Sequence, residues 1–244
     1  MDFTQFVSIL ENEELFLPRA DNLGDSFEGS LPHQNKEVRR SKLKDYPPEW
    51  PESLLPKFRR ICTRHTFLSC WHMNDVESAA MWDLYLKSNQ GLCIESSISD
   101  LELALEDSNQ EIYLSKIEYA DYREEILEDR MEQGIITDTL SPFLYKRKSF
   151  SHENEFRAII HDPPWVDSES GIVSSEDIRQ SDLEESAYES GRTVNVDIQN
   201  LIDSIRISPE AEPWIFDLVK SVCNTHGLDS DLVIESEMGD SPSY

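Results

Sequence analysis

The sequence predicts an α+β fold, a single domain over 1–244 with a mixed or mainly antiparallel sheet flanked by helices. Short apolar runs of strand type are interleaved with segments whose apolar residues recur at helical spacing. At 244 residues the chain has a length that mixed folds often reach undivided, roughly 200–250 residues. Hydrophobic residues make up only 38%, yet five tryptophans, eight tyrosines and ten phenylalanines supply enough large apolar surface for a cooperative core.

Phe3, Phe6, Val7 and Leu10 fall on one helical face, and Leu15-Phe16-Leu17 reads as the strand that follows. Residues 18–32 have the Pro, Asp, Asn, Gly and Ser of a loop. Residues 31–65 read as a basic helical connector, in which Pro47, Pro48, Pro51 and Pro56 forbid a long regular element. Thr66 to Trp71 is a buried strand, Glu77 to Leu86 a short helix, and Gly91 to Ser96 a second strand. A helix over 99–106 leads to a strand from Ile112 to Tyr122, then to an acidic helix at about 122–132. Phe143 to Ser149 begins another helix, and Glu155 to Ile160 is the strongest strand of the C-terminal half.

Residues 163–190 are polar, acidic and aperiodic, which predicts a long excursion. Thr193–Val196 and Ile205–Ser208 read as short strands flanking Ile198–Ile202. Pro213 to His226 is an amphipathic helix closed by Gly227, and Val233-Ile234 adds an edge strand.

The net charge of −27, from 49 acidic and 22 basic residues, argues against general binding of the phosphate backbone of nucleic acid. With thirteen arginines to nine lysines, an acid-rich, lysine-poor surface suits a cytoplasm of high salt, where screening removes much of the self-repulsion. Mimicry of DNA is the sharper alternative. Within this acidic chain, residues 36–64 hold nine basic residues against four acidic ones. Such a patch either faces a phosphate-bearing ligand or complements acidic neighbours on the fold.

No apolar run approaches the ~20 residues of a membrane-spanning helix, and Met1-Asp2-Phe3-Thr4 carries no basic signal-peptide region, so a cytoplasmic protein without a membrane partner is expected. Cys62, Cys70, Cys93 and Cys223 are then expected to be reduced thiols, mostly buried.

Several segments resemble the family catalogued as domain of unknown function 2971. They are Phe6–Leu10, Arg19-Ala20-Asp21-Asn22-Leu23 through Ser30, Ser69-Cys70-Trp71-His72-Met73-Asn74 and Glu77–Trp82. Phe143–Phe150, His152-Glu153-Asn154-Glu155-Phe156-Arg157, Ile207-Ser208-Pro209 and Pro242-Ser243-Tyr244 extend the likeness over nearly the whole chain. Members of that family usually begin with a strand carrying an aromatic and a basic residue just before the stretch matching Met1-Asp2-Phe3-Thr4; either the start was assigned late or this member lacks that edge strand.

The Arg19–Leu23 loop and the Glu-x-Glu of Glu153 and Glu155 look like the layout of ADP-ribosyltransferases, which implies NAD as co-substrate. By that likeness Glu155 grips the ribose and stabilises an oxocarbenium-like transition state, and Glu153, two residues earlier on the same strand face, activates an acceptor. Arg19, Ser69, Trp71, Tyr85 and Arg157 complete the nucleotide-binding set. A plainer expectation pairs Glu153 and Glu155 with Lys146, Arg147, Lys148 or Arg157. Cys70 and His72 suggest a thiol beside an imidazole, and Cys62, His65, Cys70 and His72 are zinc-competent by type, although a strand through the last two splays them away from a tetrahedron. Trp82 and Met81 are expected in the core.

Two functions follow as expectations. One is an NAD-using ADP-ribosyltransferase or NAD glycohydrolase; the other is a non-enzymatic acidic module that binds a protein partner, as in a defence or toxin locus. Catalysis predicts that Arg19, Trp71 and Glu155 cluster around one pocket, and a binding module predicts their separation.

Overall fold

The computed structural model describes residues 1–35, 38, 55–86, 88–127, 139–163 and 189–239. Residues 164–188 of the expected excursion at 163–190, and about half of the connector at 31–65, fall outside these residues. The chain forms two compact units interleaved in sequence, one from 1–15, 74–110 and 193–244, the other from 16–73 and 111–192.

In the first unit, α1 (Phe3–Asn12) forms where the spacing predicts and buries Phe6 and Leu10 of the expected face together with Ile9, while Phe3 and Val7 stay part-buried. The Asp2 N–H donates to the Gln5 side chain at its start, and Glu13 ends it in the left-handed region at φ 51°. β3 (Leu92–Glu95), β9 (Ser204–Ile207) and β10 (Val233–Ile234) form a sheet in the order β10-β9-β3, with β9 antiparallel to β3 and parallel to β10. Around it lie α3 (Ala79–Tyr85), α4 (Ile98–Ala104), α5 (Ile198–Leu201) and α6 (Pro213–Thr225). α6 starts on Pro213, whose missing N–H costs nothing there, and buries Ile215, Val219 and Cys223 at one-turn spacing. Gly227 follows at φ 74°.

In the second unit, α2 (Leu55–Arg64) leads into β2 (Thr66–His72). The sheet order is β2-β7-β4, with β7 (Glu155–His161) antiparallel to both β2 and β4 (Tyr113–Lys116). One face of this sheet carries Leu68 and Ile159, which pack with Ala20, Ile61, Cys62, Leu140 and Phe143. β5 (Glu118–Ala120) and β6 (Tyr145–Arg147) form a parallel pair. β1 (Glu14–Pro18) pairs with β8 (Gly191–Asn195).

The mixed α/β class and the antiparallel pairing agree with the sequence, but among the described residues four small sheets stand where one was expected. The strand expected from Ile112 to Tyr122 is two strands in different sheets, because β4 pairs β7 whereas β5 pairs β6. The acidic helix expected from about 122 is not formed over 122–127. The Asp121 carboxylate accepts the Arg123 N–H and closes a turn there, and Asn35 takes the Leu127 N–H. Phe143–Ser149 does not begin a helix either: Tyr145–Arg147 is drawn into pairing with β5, between 3₁₀ turns at Ser141–Phe143 and Lys148–Glu153. Among the described residues no helix is long and apolar enough to cross a membrane.

Candidate functional site

β7 lies in the middle of its sheet and is buried along six of its seven residues, yet it carries Glu155 and Arg157 among apolar neighbours. A buried charge demands a partner, and the register shows where these find theirs. Arg157 stands opposite Cys70 and Ser115, and Glu155 opposite His72, so all five share one sheet face.

Arg157 has no exposed surface. Its Nη1 and Nη2 donate to the two oxygens of Glu28 at 2.6 and 3.0 Å, a bidentate pair. Nη1 also donates to the Phe143 carbonyl at 2.9 Å, and Nη2 to Glu155 Oε2 at 2.8 Å. Glu28 reaches this position because Gly29 turns the chain at φ +67° and lies against the Phe143 ring, where a Cβ would collide. Lys146 on β6 adds a second cation. Its Nζ donates to Glu155 Oε2 at 3.3 Å and to Glu153 Oε2, and stands 4.9 Å above the Phe150 ring. The result is three carboxylates sharing two cations.

The charge states follow from this packing. Burial raises the Glu28 carboxyl more than Arg157 lowers it. Burial pushes Glu155 the same way, but Arg157 and Lys146 outweigh it and hold the carboxyl ionised below the ordinary glutamate value. Lys146 likewise stays charged, since Glu153 and Glu155 overcome its desolvation. The Cys70 thiol is desolvated and donates to Glu155, which keeps it protonated although the residue presents area to solvent. A thiol in that state is a poor nucleophile.

Glu153 is not on the strand. It ends the 3₁₀ turn Lys148–Glu153, and Asn154 at φ 38° separates it from β7. A local turn therefore breaks the alternation that would put both glutamates on one strand face, and Lys146 brings their carboxylates together instead. The same asparagine clamps the end of β2: its carbonyl accepts the Met73 N–H at 2.9 Å, and its side-chain amide donates to the Met73 carbonyl. His72 Nδ1 then lies 2.6 Å from the Glu153 carbonyl oxygen. The Tyr119 hydroxyl accepts the Glu155 N–H at 2.8 Å.

Ser69, Trp71 and Arg19, also expected at the site from the sequence, take no part in this cluster. Ser69 and Trp71 alternate to the opposite sheet face, opposite Ala158 and Phe156, and the Trp71 Nε1–H donates to Ser69 Oγ at 3.1 Å. Arg19 bridges to Phe67 near the far end of β2, and its buried side chain holds Asp21 and the Glu189 carbonyl. Tyr85 belongs to α3 in the first unit, half of its surface exposed. Met81 and Trp82 are part-buried rather than core, since α3 buries none of its residues. The partners Lys146 and Arg157 are among those the sequence offered for Glu153 and Glu155. Glu28, Tyr119 and Asn154 were not singled out. The available signal for Glu28 was Arg157 itself, a cation in an apolar strand that required a buried carboxylate.

All four cysteines are free, and only Cys62 and Cys223 are buried. Among the described residues no three His, Cys, Asp or Glu side chains are grouped to hold a metal ion. Cys62 instead packs in the core beside Ile61 and Leu68.

Fold and site define a mixed α/β protein with a buried carboxylate–cation cluster at one end of an antiparallel sheet. Residues 81–158 match the family model described as Protein of unknown function (DUF2971), the family that the sequence motifs resemble. The matched stretch holds Lys146, Glu153, Glu155 and Arg157, whereas Glu28 and His72 lie before it. No curated protein and no solved structure matches the chain.

Proposed function

We propose that the second unit carries a ribosyl-transfer site that uses NAD as co-substrate, as an ADP-ribosyltransferase or an NAD glycohydrolase, centred on Glu153 and Glu155. The observation that carries this reading is the convergence of both carboxylates on Lys146, with Glu155 held ionised. A fixed anion beside a sugar carbon that gains positive charge lowers the transition state more than the ground state. Because Arg157 and Lys146 already orient that carboxylate, little reorganisation is needed when the charge develops. Arg157 is fully buried, so on this reading it positions Glu155 and does not touch the nucleotide. Ser69 and Trp71, on the other sheet face, fall outside the site.

The test is nicotinamide release by the purified protein in high-potassium buffer, beside Glu155→Gln and Glu153→Gln. Release that falls about 100-fold or more in Glu155→Gln, with NAD still bound, supports the reading. Equal release by both proteins ends it.

A second reading, a non-enzymatic acidic module for a protein partner, is favoured by a separate observation. Arg19 and Trp71 stand apart from Glu155, whose own exposure is only 3%. On that reading the cluster is structural, and NAD neither binds nor turns over.

A further inference from the structure

Transfer of a ribosyl group to an acceptor O–H sets a proton free, and a group beside the carboxylate pair has to accept it. Glu155 does not fit that role, being buried with its carboxylate held by Arg157 and Lys146. The Glu153 carboxylate is occupied by the Lys146 ammonium.

His72 has the geometry these two lack. It is directly opposite Glu155 across the β2–β7 pair, and it is exposed. Its Nδ1 lies 2.6 Å from the Glu153 backbone carbonyl, an oxygen that can only accept, so Nδ1 carries the proton. In the neutral ring Nε2 is then the basic nitrogen, and among the described residues no side chain engages it. The left-handed Asn154 and its two bonds to Met73, which follows His72, fix the main chain beside the ring.

We infer that His72 Nε2 is the base that takes the acceptor's proton; this rests on the ribosyl-transfer reading above. The bond from the anomeric carbon to the pyridinium nitrogen breaks, and its electron pair leaves with neutral nicotinamide. A lone pair of the acceptor oxygen, from water or an alcohol, forms the new bond to that carbon. The acceptor's proton passes to Nε2, and the imidazolium returns it to solvent. Glu153 contributes its backbone carbonyl, which fixes the tautomer, in addition to its side chain.

The experiment compares His72→Asn and His72→Gln with the unsubstituted protein. Asparagine keeps an N–H where Nδ1 donates to the Glu153 carbonyl, and neither side chain is a base. Nicotinamide release is expected to fall about 100-fold or more in both, with the Kd for NAD and the thermal midpoint unchanged. Nitrogen NMR of the unsubstituted protein without NAD is expected to show His72 with its proton on Nδ1. Full activity in His72→Asn would mean that the ring only holds Glu153, and a proton found on Nε2 would remove the basic nitrogen from the site; either result overturns the inference. Absence of release by the unsubstituted protein overturns the ribosyl-transfer reading itself, and the inference with it.

Discussion

Each unit places an arginine on the middle strand of a three-stranded sheet, opposite a cysteine, with glutamates around it. In the second unit Arg157 stands opposite Cys70 and holds Glu28 and Glu155. In the first, Arg206 stands opposite Cys93, with Nε 2.7 Å from Glu95 Oε1 and Nη1 3.7 Å from Glu77 Oε2. The difference is water. The side chains of Arg157 and Glu28 are 0% and 2% exposed, whereas Arg206 and its partners Glu77 and Glu95 are 15%, 8% and 39% exposed. An ion pair open to solvent is screened and contributes little, while a buried one becomes indispensable once its cost of desolvation has been met.

The largest effect is therefore expected from Arg157→Met, which strands Glu28 in a dry interior and leaves Glu155 with Lys146 alone. It should destabilise the protein by about 3–5 kcal/mol in urea unfolding. Combining it with Glu28→Leu and Glu155→Met removes the stranded charges and should restore most of that loss. Failure of the triple variant to recover would mean that the cluster does more than neutralise itself.

A smaller loss is expected from Gly29→Ala. The added Cβ meets the Phe143 ring at φ +67°, and a strained backbone of this kind costs about 1–3 kcal/mol, readable as a lower thermal midpoint. Because Glu28 is the preceding residue, this variant tests whether the turn aims its carboxylate at Arg157.

Acid should separate the two clusters next. Burial opposes ionisation of both Glu155 and Glu95, yet Arg157 and Lys146 lower the first, and hydrogen bonds from Arg206 and Ser204 lower the second. A carboxyl lowered on folding contributes stability above its unfolded pKa, and this is lost as pH falls through the folded one. The contributions of Glu155 and Glu95 should thus decline below the ordinary glutamate value of about 4.3, while Glu28, raised by burial, acts in the opposite sense. Glu155→Gln should flatten that decline more than Glu95→Gln. Equal flattening would erase the distinction between the clusters.

The smallest effect belongs to Glu95→Gln at neutral pH, about 0.2–1 kcal/mol, shrinking further as potassium chloride is added. A loss as large as that of Arg157→Met would show that exposure is not what separates the two arginines.

Periodicity and punctuation in the sequence were enough to place α1, β2, β7 and α6, because each follows from apolar spacing and local end signals within its own segment. The sequence also determined that Glu155 and Arg157 share a face, since alternation along a strand is local. Tertiary structure alone decided the rest. Pairing with β5 drew Tyr145–Arg147 out of the expected helix, and the left-handed Asn154 took Glu153 off the strand. The antiparallel register put Ser69 and Trp71 on one sheet face and Cys70 and His72 on the other with Glu155. Glu28 reached Arg157 across 129 positions of chain. Such contacts are set by strand register and the need to neutralise a buried charge, and both depend on segments that are distant in sequence.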